Sequence, residues 1–297
     1  MNDYLVSVLL GIIEGLTEFL PISSTAHLRI AQALLDISLT SGYWKMYTIV
    51  IQLGAVLCLP IYFRERIAQL FSNFPRGERG DRTAWTHPLS LTIVAFVVTG
   101  IPGYLLTKVI GENLESLYIM GASLLIGGFV MWAVDARNAA SEAAGEGAAG
   151  SRIQTWHMES MSLGQAIWIG ACQLLSGVFP GTSRSMATIT GGQLVGMSRA
   201  SALEFSFFLS MPTMAAATGY DLLKSLLGEG ENPIGVSQVD AHGWIVLAIG
   251  FVVSFLAAYG AVAWFMAWVR RRGFAPFAVY RIIAGVVVLI WAWALRS

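Results

Sequence analysis

The chain has 297 residues, of which 56% are hydrophobic and only 12% charged, with a formal net charge of zero and a mean hydropathy of +0.65. Soluble domains carry roughly 25% charged residues, so this balance points to a polytopic membrane protein. Thinly spread Lys and Arg leave no electrostatic footprint for nucleic acid. Cys58 and Cys172 lie in apolar surroundings without CxxC spacing and read as buried small hydrophobes, not as a disulfide or metal pair.

The N-terminal apolar run has no basic flank and no small-residue cleavage site, and Glu14 and Glu18 interrupt it, so it reads as part of the mature fold. Apolar segments 4–19 and 25–37 flank Pro21, and neither is long enough to span comfortably. Together they predict a re-entrant helical hairpin whose Pro-containing tip is buried in protein. Segments 44–63, 89–108 and 115–135 each have about the length needed to cross a hydrocarbon core of roughly 30 Å. Residues 136–159, rich in Ala, Gly and Glu, read as a flexible cytoplasmic linker. A second hairpin is predicted from 163–178 and 185–197 around Pro180, followed by spans 201–227, 243–269 and 274–295. Backbone facing lipid must satisfy its own hydrogen bonds, and no strand alternation is present, so the expected fold is all-α with about six transmembrane helices and two re-entrant hairpins.

The two hairpins align with each other: Glu14 matches Gln173, Pro21 matches Pro180 and Ser24 matches Ser183, all at an offset of 159. Met46-Tyr-Thr-Ile-Val falls opposite Phe205-Ser-Phe-Phe-Leu at the same offset. Arg64, Arg66, Arg76, Arg79 and Arg82 after span 44–63, and Arg270, Arg271 and Arg272 after span 243–269, place both connections in the cytoplasm. Loop 228–242 carries Glu229, Glu231 and Asp240 without Lys or Arg, which suits the outer face. Three spans in the first half give two halves of opposite orientation, an inverted-topology repeat of 1–135 and 160–297 within one integral membrane domain, 1–297. One hairpin is expected to enter from each side, with the tips meeting near the midplane in one cavity.

Charged groups at that depth are expensive and mark function. Glu14 and Glu18, four apart, share a helix face, which suits a divalent cation site or acid/base chemistry; a helix-packing polar pair is the bland alternative. Ser23, Ser24 and Thr25 follow Pro21 at a helix start, where hydroxyls commonly cap. The same helix start offers free amides to a phosphate, and His27 lies three residues from Ser24 on roughly the same face, as a nucleophile and its base would. His27 also fits a role satisfying a backbone carbonyl. In Gly181-Thr182-Ser183-Arg184-Ser185, glycine permits close backbone approach, the hydroxyls and amides form a concave donor surface, and a guanidinium offers a fork to phosphate oxygens. Thr188, one turn beyond Arg184, extends that polar face, and pairing of Arg184 with Glu14 or Glu18 is the alternative. His87, His157 and His242 show no ligand spacing and read as surface histidines; Glu204 sits near a span end.

Both motifs, Glu14-Gly-Leu-Thr-Glu18-Phe-Leu-Pro21-Ile-Ser23-Ser24-Thr25-Ala-His27 and Pro180-Gly181-Thr182-Ser183-Arg184-Ser185, resemble the signatures of undecaprenyl pyrophosphate phosphatases of the BacA/UppP type, bacterial inner-membrane enzymes. The resemblance covers essentially the whole chain, including Glu204-Phe-Ser-Phe207 and Pro276-Phe-Ala-Val-Tyr-Arg281. It implies removal of the terminal phosphate from undecaprenyl diphosphate, which recycles the lipid carrier for peptidoglycan and links such proteins to bacitracin resistance. It further implies a divalent cation, Mg2+ or Ca2+, held at Glu14 and Glu18, and a site open to the periplasm. Glu18, Ser24, His27 and Arg184 are then the catalytic set, with Ser23, Thr25, Gly181, Thr182, Ser183, Ser185 and Thr188 binding substrate. The implied partners are undecaprenyl diphosphate and membrane lipid, with a homodimer as a further candidate state. A flippase or anion transporter is the rival function, because midplane hairpins in an inverted repeat are also a transporter pattern.

Overall fold

The computed structural model describes residues 2–37, 42–78, 80–106, 116–227 and 239–295. Arg79, Glu229 and Glu231, used above for orientation, lie outside them, as does the side chain of Arg270. Among the described residues the chain is helical, and its only strand-like feature is a single bridge between Thr155 and Met197. The helices are α1 (Asp3–Thr17), α2 (Ser24–Leu34), α3 (Gly42–Tyr62), α4 (Arg64–Ser72), α5 (Pro88–Leu105), α6 (Leu117–Ala144), α7 (Leu163–Val178), α8 (Arg184–Leu194), α9 (Arg199–Leu227), α10 (Ala241–Arg272) and α11 (Ala275–Ala294). Five of them, α3, α5, α6, α10 and α11, are long and apolar enough to cross a membrane. The sixth expected span, α9, has the length but carries Glu204, Asp221 and Lys224, and it is not among those five.

The helices form two compact units, Met1–Phe19 with Ser24–Phe63 and Ser210–Trp264, and Leu20–Ser23 with Arg64–Leu209 and Phe265–Ser297. Each unit therefore draws on both halves of the sequence. In the first, Val6, Leu10, Leu28, Met46, Tyr47, Ile51, Val246 and Leu247 make a buried cluster. A polar staple runs through it: Ser7 Oγ donates to the Val246 carbonyl at 2.7 Å, and Tyr47 Oη donates to the Ser7 carbonyl at 2.8 Å. In the second unit α6 and α11 approach closely, because Gly121, Gly128 and Gly285 remove the side chains between them. A Cβ at Gly285 would stand 2.7 Å from the Leu125 nitrogen and 2.8 Å from the Gly121 carbonyl. Gly191 and Gly192 serve the same purpose against Cys172 and Ala202.

Two expectations change. Residues 136–144 are not linker: they continue α6, since the Ala-rich run favours helix, and Gly145 ends it at φ 83. Asn138 Nδ2 donates to the Gln193 carbonyl at 3.0 Å, and Glu142 accepts the Arg199 amide at 2.6 Å, so the extension is packed. Beyond it Ile153, Met158 and Met161 are buried. His87 is not at the surface either. It caps α5 by accepting the Leu89 amide at Nδ1 (3.3 Å), packs edge-on against Phe74, and has no solvent exposure. His157 and His242 are exposed, as expected. Glu204 binds Arg66, whose guanidinium also reaches Glu78 and Glu159.

Candidate active site

The carboxylate group lies in the first unit. Asn2 caps α1 through the Tyr4 amide, and the helix buries Ser7, Leu10, Gly11, Glu14 and Gly15, a stripe of helical period that carries Glu14 inward. Gly15 allows the close approach, since a Cβ there would sit 2.5 Å from the Ser254 carbonyl. Glu14 is 1% exposed, and its two carboxylate oxygens are shielded from water with no hydrogen-bond partner. Glu18 caps the helix one turn on, donating its amide to the Glu14 carbonyl at 2.9 Å. The chain then reverses, so that Ser24, first residue of α2, donates its hydroxyl to Glu18 Oε2 at 2.5 Å. That is a short bond between two buried groups. His27 lies half-buried one turn along α2, and Thr25 is half-buried beside Ser24.

Among the described residues no group of three His, Cys, Asp or Glu side chains makes a closed metal site. A carboxylate with two unsatisfied oxygens beside a second carboxylate has donor chemistry that fits a hard divalent cation.

The glycine–serine–arginine turn, residues 181–185, lies in the second unit. Ser162 and Gln165 form a capping box at the start of α7, which ends at Val178. Gly181 follows at φ 91, where a side chain would be strained and a Cβ would collide with the Met120 carbonyl. Ser183, at φ 67, caps α8: its Oγ accepts the Met186 amide at 3.4 Å and lies 3.1 Å from Ser185 Oγ. Ser185 in turn donates to the Leu20 carbonyl at 3.0 Å. Arg184 opens α8, half-buried, with Nη1 3.5 Å from the Ser206 carbonyl. Thr188 has no exposure, and its hydroxyl is engaged with the Arg184 carbonyl at 2.9 Å and with Ser206 Oγ at 2.6 Å, so it braces the start of α8 from within.

Both turns share a backbone device. Ser23 at φ 73 and Ser183 at φ 67 each sit in the left-handed region immediately before a helix, a conformation costing on the order of 1–3 kcal/mol for a non-glycine residue. The helix starts, Ser24 and Arg184, and the two left-handed serines align at an offset of 160, one more than the proline match gives. Ser23 is thus the backbone counterpart of Ser183, and Ser24 that of Arg184. Sequence reasoning left Arg281 without a role. Its signal was plain: a single charge within the apolar span 275–294.

Residues 7–287 match the family model described as Bacitracin resistance protein BacA. The chain belongs to this family. An undecaprenyl-diphosphatase of Koribacter versatilis is 63% identical over 98% of this chain and 99% of its own length. Family members bearing the same name from Caldanaerobacter subterraneus subsp. tengcongensis (38% identity, 97% and 96% coverage) and Thermus thermophilus (37%, 95% and 94%) are similar over nearly the full chain.

Proposed function

We propose that this membrane protein hydrolyses undecaprenyl diphosphate to undecaprenyl phosphate and orthophosphate, returning the lipid carrier to cell-wall synthesis. The observation that carries the reading is the 2.5 Å bond from Ser24 to Glu18, in a chain 63% identical to a relative named for this activity. The carboxylate group and the serine–arginine turn each carry residue types suited to a diphosphate. Ser24 Oγ attacks the terminal phosphorus and its proton passes to Glu18 Oε2, while the bond to the bridging oxygen breaks and the lipid monophosphate leaves. Water then attacks the phosphoserine and gives a proton to His27, the P–Oγ bond breaks to release orthophosphate, and Ser24 Oγ recovers its proton from Glu18. Arg184, Ser183, Thr182 and the amides at the two helix starts bind the equatorial oxygens. Ser23, Thr25, Gly181 and Ser185 shape the turns that present them.

Glu14 and the second oxygen of Glu18 would hold Mg2+ or Ca2+, which neutralises diphosphate charge when bound. The two short-helix pairs are re-entrant hairpins of an inverted repeat, α9 is the sixth span, and the arginine-rich connections face the cytoplasm of a bacterial inner membrane with the site open to the periplasm. The paired turns, similar in backbone conformation, support the repeat. Orthophosphate release from a C55 prenyl diphosphate by purified protein in detergent, compared with Arg184→Ala, tests the proposal. Release that depends on Arg184 is expected. No release by folded wild-type protein with divalent ions present overturns it and favours a transporter.

A further inference from the structure

Arg281 heads the large side chains of the described residues that have essentially no solvent exposure, and none of its hydrogen-bond acceptors is a carboxylate. Nη1 donates to the Pro21 carbonyl at 3.1 Å; Nη2 donates to the carbonyls of Gly181 at 3.0 Å and Ser123 at 3.1 Å. Burying a guanidinium without a counter-charge is costly, so packing alone would favour an apolar side chain here. What an apolar residue lacks is a rigid fork of donors that reaches three segments at once.

The choice of carbonyls is informative. Pro21 precedes the left-handed Ser23 by two residues, and Gly181 precedes the left-handed Ser183 by two. Arg281 therefore grips equivalent points of the two strained turns, and through Ser123 it fixes both to α6. Room for the fork comes from Gly127, where a Cβ would stand 2.5 Å from Nη2. Ser185, bonded to the Leu20 carbonyl, adds a second grip on the first turn.

We infer that Arg281 is a positioning residue for the reaction, holding both phosphate-binding turns in the conformation that presents Ser24 and Arg184 from their helix starts. The inference deepens the phosphatase reading and rests on it for its catalytic consequence. Left-handed serines persist only where surrounding contacts over-determine them, and misplacement of a site by about 1 Å costs on the order of 100-fold in rate.

The test uses full-length Arg281→Lys and Gly127→Ala, with Arg281→Met as the complete removal. Lysine keeps the charge without the fork, and the alanine methyl displaces Nη2 while leaving Arg281 in place. Orthophosphate release is expected to show kcat lowered about 100-fold in Arg281→Met and less in the other two, with KM moving little. Hydrogen exchange followed by mass spectrometry supplies a readout independent of turnover. Peptides covering residues 19–25 and 180–186 are expected to exchange faster in Arg281→Lys and Gly127→Ala, while those in α3 and α10 do not. Wild-type kcat in these two folded variants, or unchanged exchange at both turns, overturns the inference. Faster exchange at the turns in a protein whose wild type releases no orthophosphate would retain the anchoring and reject the phosphatase.

Discussion

Glu18→Gln isolates the proton acceptor proposed for Ser24. The amide keeps the size of the carboxylate and an acceptor oxygen for the 2.5 Å bond, but it cannot take up the serine proton. Ser24 is 9% exposed and Glu18 7%, so bulk water does not stand in for the lost base. A positioned general base contributes about 10²–10⁴-fold, which at about 1.36 kcal/mol per tenfold is roughly 2.7–5.4 kcal/mol of barrier. Orthophosphate release at saturating divalent ion should fall by that factor, and saturation keeps any weakened ion binding out of the rate. Because the two groups act as one unit, Ser24→Ala and the double variant should be equally slow. Glu18→Gln within threefold of wild type, or losses that multiply in the double variant, would refute the assignment.

Glu14→Gln should raise the divalent-ion concentration giving half-maximal activity, and exhaustive chelation should abolish wild-type turnover; full activity after chelation rejects the metal role. Gly181→Ala meets both a positive φ of 91 and the Met120 carbonyl, so it should lose about 1–3 kcal/mol in a denaturant titration, and an unchanged midpoint would contradict the packing. Burial, and then the Arg82 guanidinium, hold His87 below its ordinary pKa of 6.5. The native ring stays neutral while the unfolded chain takes up a proton below that value, so the stability is complete above about pH 6.5 and is lost as pH falls. Wild-type thermal midpoints should therefore drop more steeply below about pH 6.5 than those of His87→Asn, which keeps a capping acceptor for Leu89; parallel curves would count against it.

Hydropathy and helical period are local properties, and they determined much here without reference to the fold. The six long helices follow the apolar windows within a few residues at most ends; α6 is the exception, running nine residues past its predicted end to Ala144. The breaks at Pro21 and Pro180, and the wedging of hydroxyls, carboxylates and an arginine into apolar sequence, marked the candidate site, since such groups are costly in lipid. The hydrogen bond of Ser24 with Glu18 was not legible, because a left-handed turn at Ser23 decides which neighbour the hydroxyl meets, and serine gives no sign of positive φ. Nor was the burial of His87, which depends on Phe74 closing over a helix cap. Arg281 shows the division best: its charge in an apolar span announced a role, but the carbonyls of Pro21, Ser123 and Gly181 are distant in sequence and carry no side-chain signature. Only packing brings three backbone acceptors to one guanidinium.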